Sequence, residues 1–80
     1  MKLEILTPES VFYSGEADSV TLPGTLGSFQ ILNNHAPIIS TLGKGMLSFT
    51  VNGEIRQMEV TDGLMEMHNN KITVCIDEIH

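Results

Sequence analysis

Three histidines, one cysteine, two close carboxylate pairs and a glycine pair ahead of a serine are the residues whose types could do chemistry. His35, His68 and His80 lie far apart and show no His-x-x-x-His spacing, so a zinc site would need the fold alone to converge them. His68 falls in a turn-forming stretch and His80 is the last residue, a poor place for a fixed ligand. As a general base His35 would need a nucleophile and an orienting carboxylate. Ser28 and Ser40 are near in sequence, but no motif sets an Asp with them. The simpler role for His35 is structural, its ring bonded locally ahead of Ala36-Pro37. Gly24 and Gly27 fail as a phosphate cradle. That loop needs a following helix N-terminus and, in the Walker form, a Lys and Ser/Thr, whereas Ser28-Phe29-Gln30 leads into a strand. The two glycines bend the chain instead. Glu16 with Asp18, together in one mid-chain strand, and Asp77 with Glu78, after the last strand, fit no EF-hand frame and read as solvated edges that discourage sheet-to-sheet aggregation. Cys75 sits in the apolar run Ile72-Thr73-Val74-Cys75-Ile76 and reads as a small packed side chain. A single cysteine also excludes an intrachain disulfide. No catalytic residue, cofactor site or metal site is assigned.

Eighty residues make one small domain, taken as 1–80. At this size a fold buries roughly 60–65% of the surface its unfolded chain exposes. Ten acids against four bases give a formal charge of −6. Four scattered bases make no phosphate footprint, so nucleic acid is excluded as a partner, and an anionic membrane surface is disfavoured. A partner with a locally basic contact surface suits the balance. The apolar runs are too short for a signal peptide or a membrane-spanning helix, so a soluble, cytoplasmic chain without membrane insertion is expected.

The elements that must position these residues are strands. Leu3 and Ile5 alternate with Lys2 and Glu4 up to Thr7-Pro8. Val11-Phe12-Tyr13 runs to Ser14-Gly15, and Ala17 to Leu22 closes at Pro23-Gly24. Leu47, Phe49 and Val51 share one face while Ser48 and Thr50 take the other. Asn52-Gly53 supplies the positive φ angles of a type I′ turn, so residues 45–51 and 54–60 are expected to pair antiparallel. Thr61-Asp62-Gly63 marks another turn, and His68-Asn69-Asn70-Lys71 joins Leu64–Met67 to Ile72–Ile76. Pro37, Gly43 and Gly45 break any helical pattern. The pattern predicts about eight short strands in an all-β fold, a small antiparallel two-sheet β-sandwich or flattened barrel.

One stretch stays unabsorbed. Leu26, Phe29, Ile31, Leu32, Ile38, Ile39 and Leu42 exceed a strict alternating inside face, so some are core on both sides or are exposed for a partner. Surplus apolar surface without a catalytic set points to a binding module. A small histidine-centred enzyme and a free-standing β-sandwich ligand binder remain the alternatives, the second requiring a concave apolar pocket.

The chain resembles the N-terminal β-sandwich domain of the epsilon subunit of the F-type ATP synthase. "LEILTPESVFYSGEADSVTLPGTLGSF" is similar to the family's opening, with a Ser-Gly turn after an aromatic pair. Gly27-Ser28-Phe29-Gln30-Ile31-Leu32-Asn33-Asn34-His35-Ala36-Pro37 is similar to the family block Gly-x-Phe-Gly-Ile/Val-Leu-Pro-Gly-His-Ala-Pro. Leu42-x-x-Gly45-Met46 fits the family's Leu-x-x-Gly-Val/Met, and "VTDGLMEMHNNKITVCIDE" fits its last hairpin. Ser28 replaces the usual acid, Gln30 a glycine, and Asn33-Asn34 the Pro-Gly. Ser28 therefore brings no carboxylate to an ion pair with a basic loop.

The resemblance implies a non-catalytic central-stalk (rotor) subunit that needs no cofactor. It would be peripheral, on the cytoplasmic face of an energy-transducing membrane, docked on the gamma subunit and the polar loops of the c-ring. It would couple proton-driven rotation to ATP synthesis. The implied c-ring contact is Ser28, Phe29, Gln30, Ile31, Leu32, Asn33, Asn34 and His35; Ile38, Ile39, Thr41 and Leu42 lie on the path towards gamma. Family members commonly add a C-terminal helical hairpin that can inhibit ATP hydrolysis. The resemblance here is to a short form without it, so that activity is not carried over.

Overall fold

The computed structural model describes residues 1–77, and these form nine strands and no helix. They are β1 (Lys2–Leu6), β2 (Val11–Glu16), β3 (Ser19–Gly24), β4 (Gly27–Leu32), β5 (Ile38–Leu42), β6 (Gly45–Val51), β7 (Glu54–Val60), β8 (Gly63–His68) and β9 (Lys71–Ile76). The β6–β7 hairpin has the expected bounds and register, Val51 opposite Glu54 through Gly45 opposite Val60. Its turn has φ of 51° at Asn52 and 79° at Gly53, the left-handed pair a type I′ turn requires. Asn69 and Asn70, at 51° and 57°, close β8 onto β9 in the same way.

The strands form one continuous ladder in the order β2-β1-β9-β8-β5-β3-β6-β7, with β4 on β3. All pairings but one are antiparallel. β1 and β9 run parallel, Lys2 opposite Lys71 through Leu6 opposite Cys75. No hairpin joins the first and last strands, so nothing forces them to oppose.

The ladder folds into two layers at β3. One edge of β3 pairs with β4 along its length. The other edge holds β6 over Ser19–Thr21 and then β5 through a single register point, Gly24 opposite Leu42. Backbone bonds from Thr25 to Thr41 (3.2 Å) and from Gly43 to Pro23 (2.8 Å) secure this corner. The layers bury their inward phases against each other: Leu3, Ile5, Met65, Met67, Ile72 and Val74 from one, Val20, Leu22, Ile31, Leu47, Phe49 and Val60 from the other. Tyr13 covers the edge of Phe49 at a ring separation of 4.6 Å.

Three expectations are corrected. Cys75 is exposed: Ile72, Val74 and Ile76 take the inward phase of β9, and the five-residue apolar run concealed that alternation. Ser14-Gly15 is not a turn, because β2 continues through Gly15, opposite Leu3, to Glu16. Glu16 and Asp18 share no strand; Glu16 ends β2, while Asp18 precedes β3 and its Oδ2 accepts the Asn52 N–H at 3.1 Å.

Candidate partner-contact surface

β4 carries the residues expected to meet a partner, and its alternation divides them. Ser28, Gln30 and Leu32 are exposed, Phe29 is half-buried against the core, and Ile31 is fully buried opposite Val20. Ile31 is thereby corrected from contact residue to core residue, and Leu42 with it, since both occupy inward phases. Ile38 is half-buried, whereas Ile39 and Thr41 are exposed. Ser28 to Leu32 covers about 13 Å at strand rise. The residues from Ser28 to His35 therefore form no single loop. They line an edge strand whose only partner among the described residues is β3, with a different structure at each end.

At one end, Leu32 to His35 form a tight turn. The His35 N–H donates to Leu32 O at 3.3 Å. Asn34 sits at φ 63°, the third position of such a turn, which only Gly and Asn tolerate readily. Other elements fasten the turn. The Asn34 N–H donates to Asn70 Oδ1 at 2.8 Å, and Asn33 Oδ1 accepts from the Met1 amino group at 2.7 Å. That amino group also donates to Ala17 O and lies 3.5 Å from Glu16 Oε2. His35 Nδ1 lies 2.7 Å from Ala36 O, and a carbonyl can only accept, so Nδ1 carries the proton. This is the local ring bond expected from the sequence. Next to Asn70, Lys71 Nζ pairs with Glu4 Oε1 at 2.8 Å. The hydrogen bond and charge of Lys71 hold the Glu4 carboxyl below its ordinary range.

The other end is apolar. Leu26, at the tip of the β3–β4 hairpin, is fully exposed. The tip is shaped by glycines: a Cβ on Gly24 would lie 2.7 Å from Gly27 O and 2.8 Å from Phe29 Cε1. Gly27 sits at φ 134°, where side chains are strained although nothing lies within 4 Å. The Thr25 and Thr41 hydroxyls share a hydrogen bond at 2.9 Å. Leu26, Phe29, Ile39, Thr41 and Leu64 surround a depression of about 400 Å³. Leu64 was missed from the sequence as a surface residue. Its signal is phase: Met65 and Met67 point inward, which turns Leu64 outward with Glu66 and His68. A second depression, of about 550 Å³, is lined by Pro37, Ile38, Ile39, Glu66, Met67 and His68.

Among the described residues no group of three or more His, Cys, Asp or Glu side chains converges as a metal site. His80 and Glu78 lie outside the described residues. No helix of the described residues is long and apolar enough to cross a membrane. The arrangement can bind: it offers an apolar end, a hydrogen-bonded end and an uncharged strand edge between them.

Comparison with known proteins returns one family. The family model described as "ATP synthase, Delta/Epsilon chain, beta-sandwich domain" matches residues 1–80. The ATP synthase epsilon chain of Leptospira interrogans is 38% identical over 77 residues, covering 96% of this chain and 61% of the relative. That of Desulfitobacterium hafniense is 39% identical over 75 residues, covering 94% and 57%. The chain thus spans about three-fifths of the length of these curated relatives. A chain in the central stalk and c-ring structure of the Tetrahymena thermophila mitochondrial ATP synthase superposes with a TM-score of 0.86 at 16% identity, covering 99% of this chain and 64% of that one. One in the Euglena gracilis mitochondrial ATP synthase gives 0.91 at 15%, covering 98% and 51%. At such identities the superpositions speak for the fold.

Proposed function

The chain belongs to the ATP synthase delta/epsilon β-sandwich family, and from that premise we propose that it is a non-catalytic central-stalk subunit docked on gamma and the c-ring. In this reading it turns with the ring on the cytoplasmic face of the membrane and couples proton-driven rotation to ATP synthesis. The edge of β4, with Ser28, Gln30, Leu32 and the turn Asn33-Asn34-His35, rests on the polar loops of the ring, helped by Leu26. The outward face of β5 and β8, with Ile39, Thr41 and Leu64, lies against gamma. A two-layer sheet suits the transmission of torque, because a close-packed core resists deformation.

The observation that carries the reading, given the family, is the character of the β4 edge. Gly27 to Leu32 contains no Lys, Arg, Asp, Glu or Pro, the residues that normally guard an exposed edge. Leu26, Leu32, Ile39 and Leu64 are exposed around it. Such an edge and such leucines are expected where another protein covers them.

Copurification with gamma and the c-ring tests the proposal. The chain should recover both, and Ile39→Asp or Leu64→Asp, at exposed positions that leave the core intact, should lower recovery of gamma about tenfold or more. Recovery of neither partner, under conditions where a longer epsilon subunit recovers both, would sink the reading.

A further inference from the structure

The chain contains two Asn-Asn dipeptides, Asn33-Asn34 and Asn69-Asn70, and the fold sets them against each other. Asn70 Oδ1 accepts the Asn34 N–H at 2.8 Å across 36 residues of sequence, while Asn70 O accepts the Lys2 N–H at 3.1 Å. One residue thus ties the β8–β9 turn, the start of β1 and the turn after β4. The turn at Asn69-Asn70 has positive φ at both positions, a geometry that glycine adopts without strain. Asparagine there forgoes that ease and supplies a side-chain acceptor instead. Asn34, itself at φ 63°, is the donor that meets it.

We propose that Asn70 is a positioning residue that orders the turn Leu32–His35 into its partner-ready shape before docking. The proposal rests on the functional reading that this turn meets the c-ring. A turn already held in shape loses less conformational freedom on binding, which raises affinity without a new contact. Asn70 itself need touch nothing on the partner.

Three variants test it. Asn70→Gly keeps the type I′ turn and removes the acceptor, Asn70→Asp restores an acceptor, and Asn69→Gly alters the same turn without touching Asn34. The readouts are hydrogen exchange at the Asn34 amide in the isolated chain, and association with a purified gamma–c-ring assembly. In Asn70→Gly the Asn34 amide should exchange about two- to tenfold faster, the range expected for one net hydrogen bond. Association should weaken by a similar factor, and the melting temperature should fall by no more than about 10 °C, the most that one such bond is worth in a domain of this size. Asn70→Asp should restore both, and Asn69→Gly should alter neither. Unchanged exchange in Asn70→Gly overturns the proposal. So does faster exchange with undiminished association, which would leave the bond a purely structural one. If the unmodified chain does not associate at all, the docking reading fails, and the exchange comparison alone still decides whether Asn70 orders the turn.

Discussion

The two ends of β4 build exposed surface by opposite means. The Asn33–Pro37 end is polar and tied, held by the Asn70 side chain and the Met1 amino group. The Thr25–Leu26 end is apolar, and glycine stereochemistry gives it its shape: Gly24 allows the hairpin strands to close and Gly27 supplies the turn's positive φ. The difference separates two components of recognition. Burying Leu26 in a partner offers apolar transfer energy, about 1.5–3 kcal/mol for a fully buried leucine. The polar end offers little of that, because its hydrogen bonds with water are exchanged rather than gained. Its contribution is a fixed direction of donors and acceptors.

Between the ends stands Ile31, and removing it is the largest expected disturbance. It is fully buried opposite Val20, so Ile31→Ala should cost about 2–5 kcal/mol. Leu26→Ala, at a fully exposed tip, should stay within about 0.5 kcal/mol. Denaturant midpoints at constant slope measure both. If Ile31→Ala cost less than Leu26→Ala, β4 would not be what holds the two ends in place, and the comparison would collapse. Next in size is Gly27→Ala. There is room for the methyl group but not for its φ, so a loss of about 1–3 kcal/mol is expected, with faster exchange at the hairpin tip and none at Asn34. Disturbance reaching Asn34 would mean that the ends are coupled along the strand.

Much of this contrast was legible in the sequence, and the failures have a common cause. Asn52-Gly53 and Asn69-Asn70 announced their hairpins through turn stereochemistry, a local property. Alternation located most of the core. It misplaced Cys75, and it hid Ile31 among the expected contacts, because a run of consecutive apolar residues carries no phase of its own. Phase there comes from the neighbouring strand, through pairs such as Leu64 with Cys75 and Val20 with Ile31. The bond from Asn34 to Asn70 spans 36 residues. The composition of either dipeptide announces a turn but not a partner. Ser28 and His35 stand in one block of the sequence, because contiguity in a motif says nothing of the length a strand spans. Four residues of β4 carry them to opposite ends.

Acidification should give the smallest effect and should separate the ends by a different route. The Glu4 carboxyl is held below its ordinary value of 4.5, chiefly by its hydrogen bond with Lys71 and then by the Lys71 charge. A carboxyl depressed on folding contributes stability that is fully present above its unfolded value and is lost as pH falls through the folded one. The pair is partly exposed, so the loss is small and salt-sensitive. Its location is what matters. Lys71 follows Asn70 and lies opposite Lys2 and His68, at the tied end, so protonating Glu4 loosens a neighbour of the residue that orders the Asn34 turn. Amide chemical shifts monitored from neutral pH down through the carboxylate range should move at Lys71 and Asn70 with a midpoint below 4.5, and remain flat at Leu26. In Glu4→Gln that low-pH movement should disappear. Equal movement at Leu26 and Asn70, or movement that survives in Glu4→Gln, would show that acid acts on the whole sandwich and that the tied end owes nothing particular to this pair.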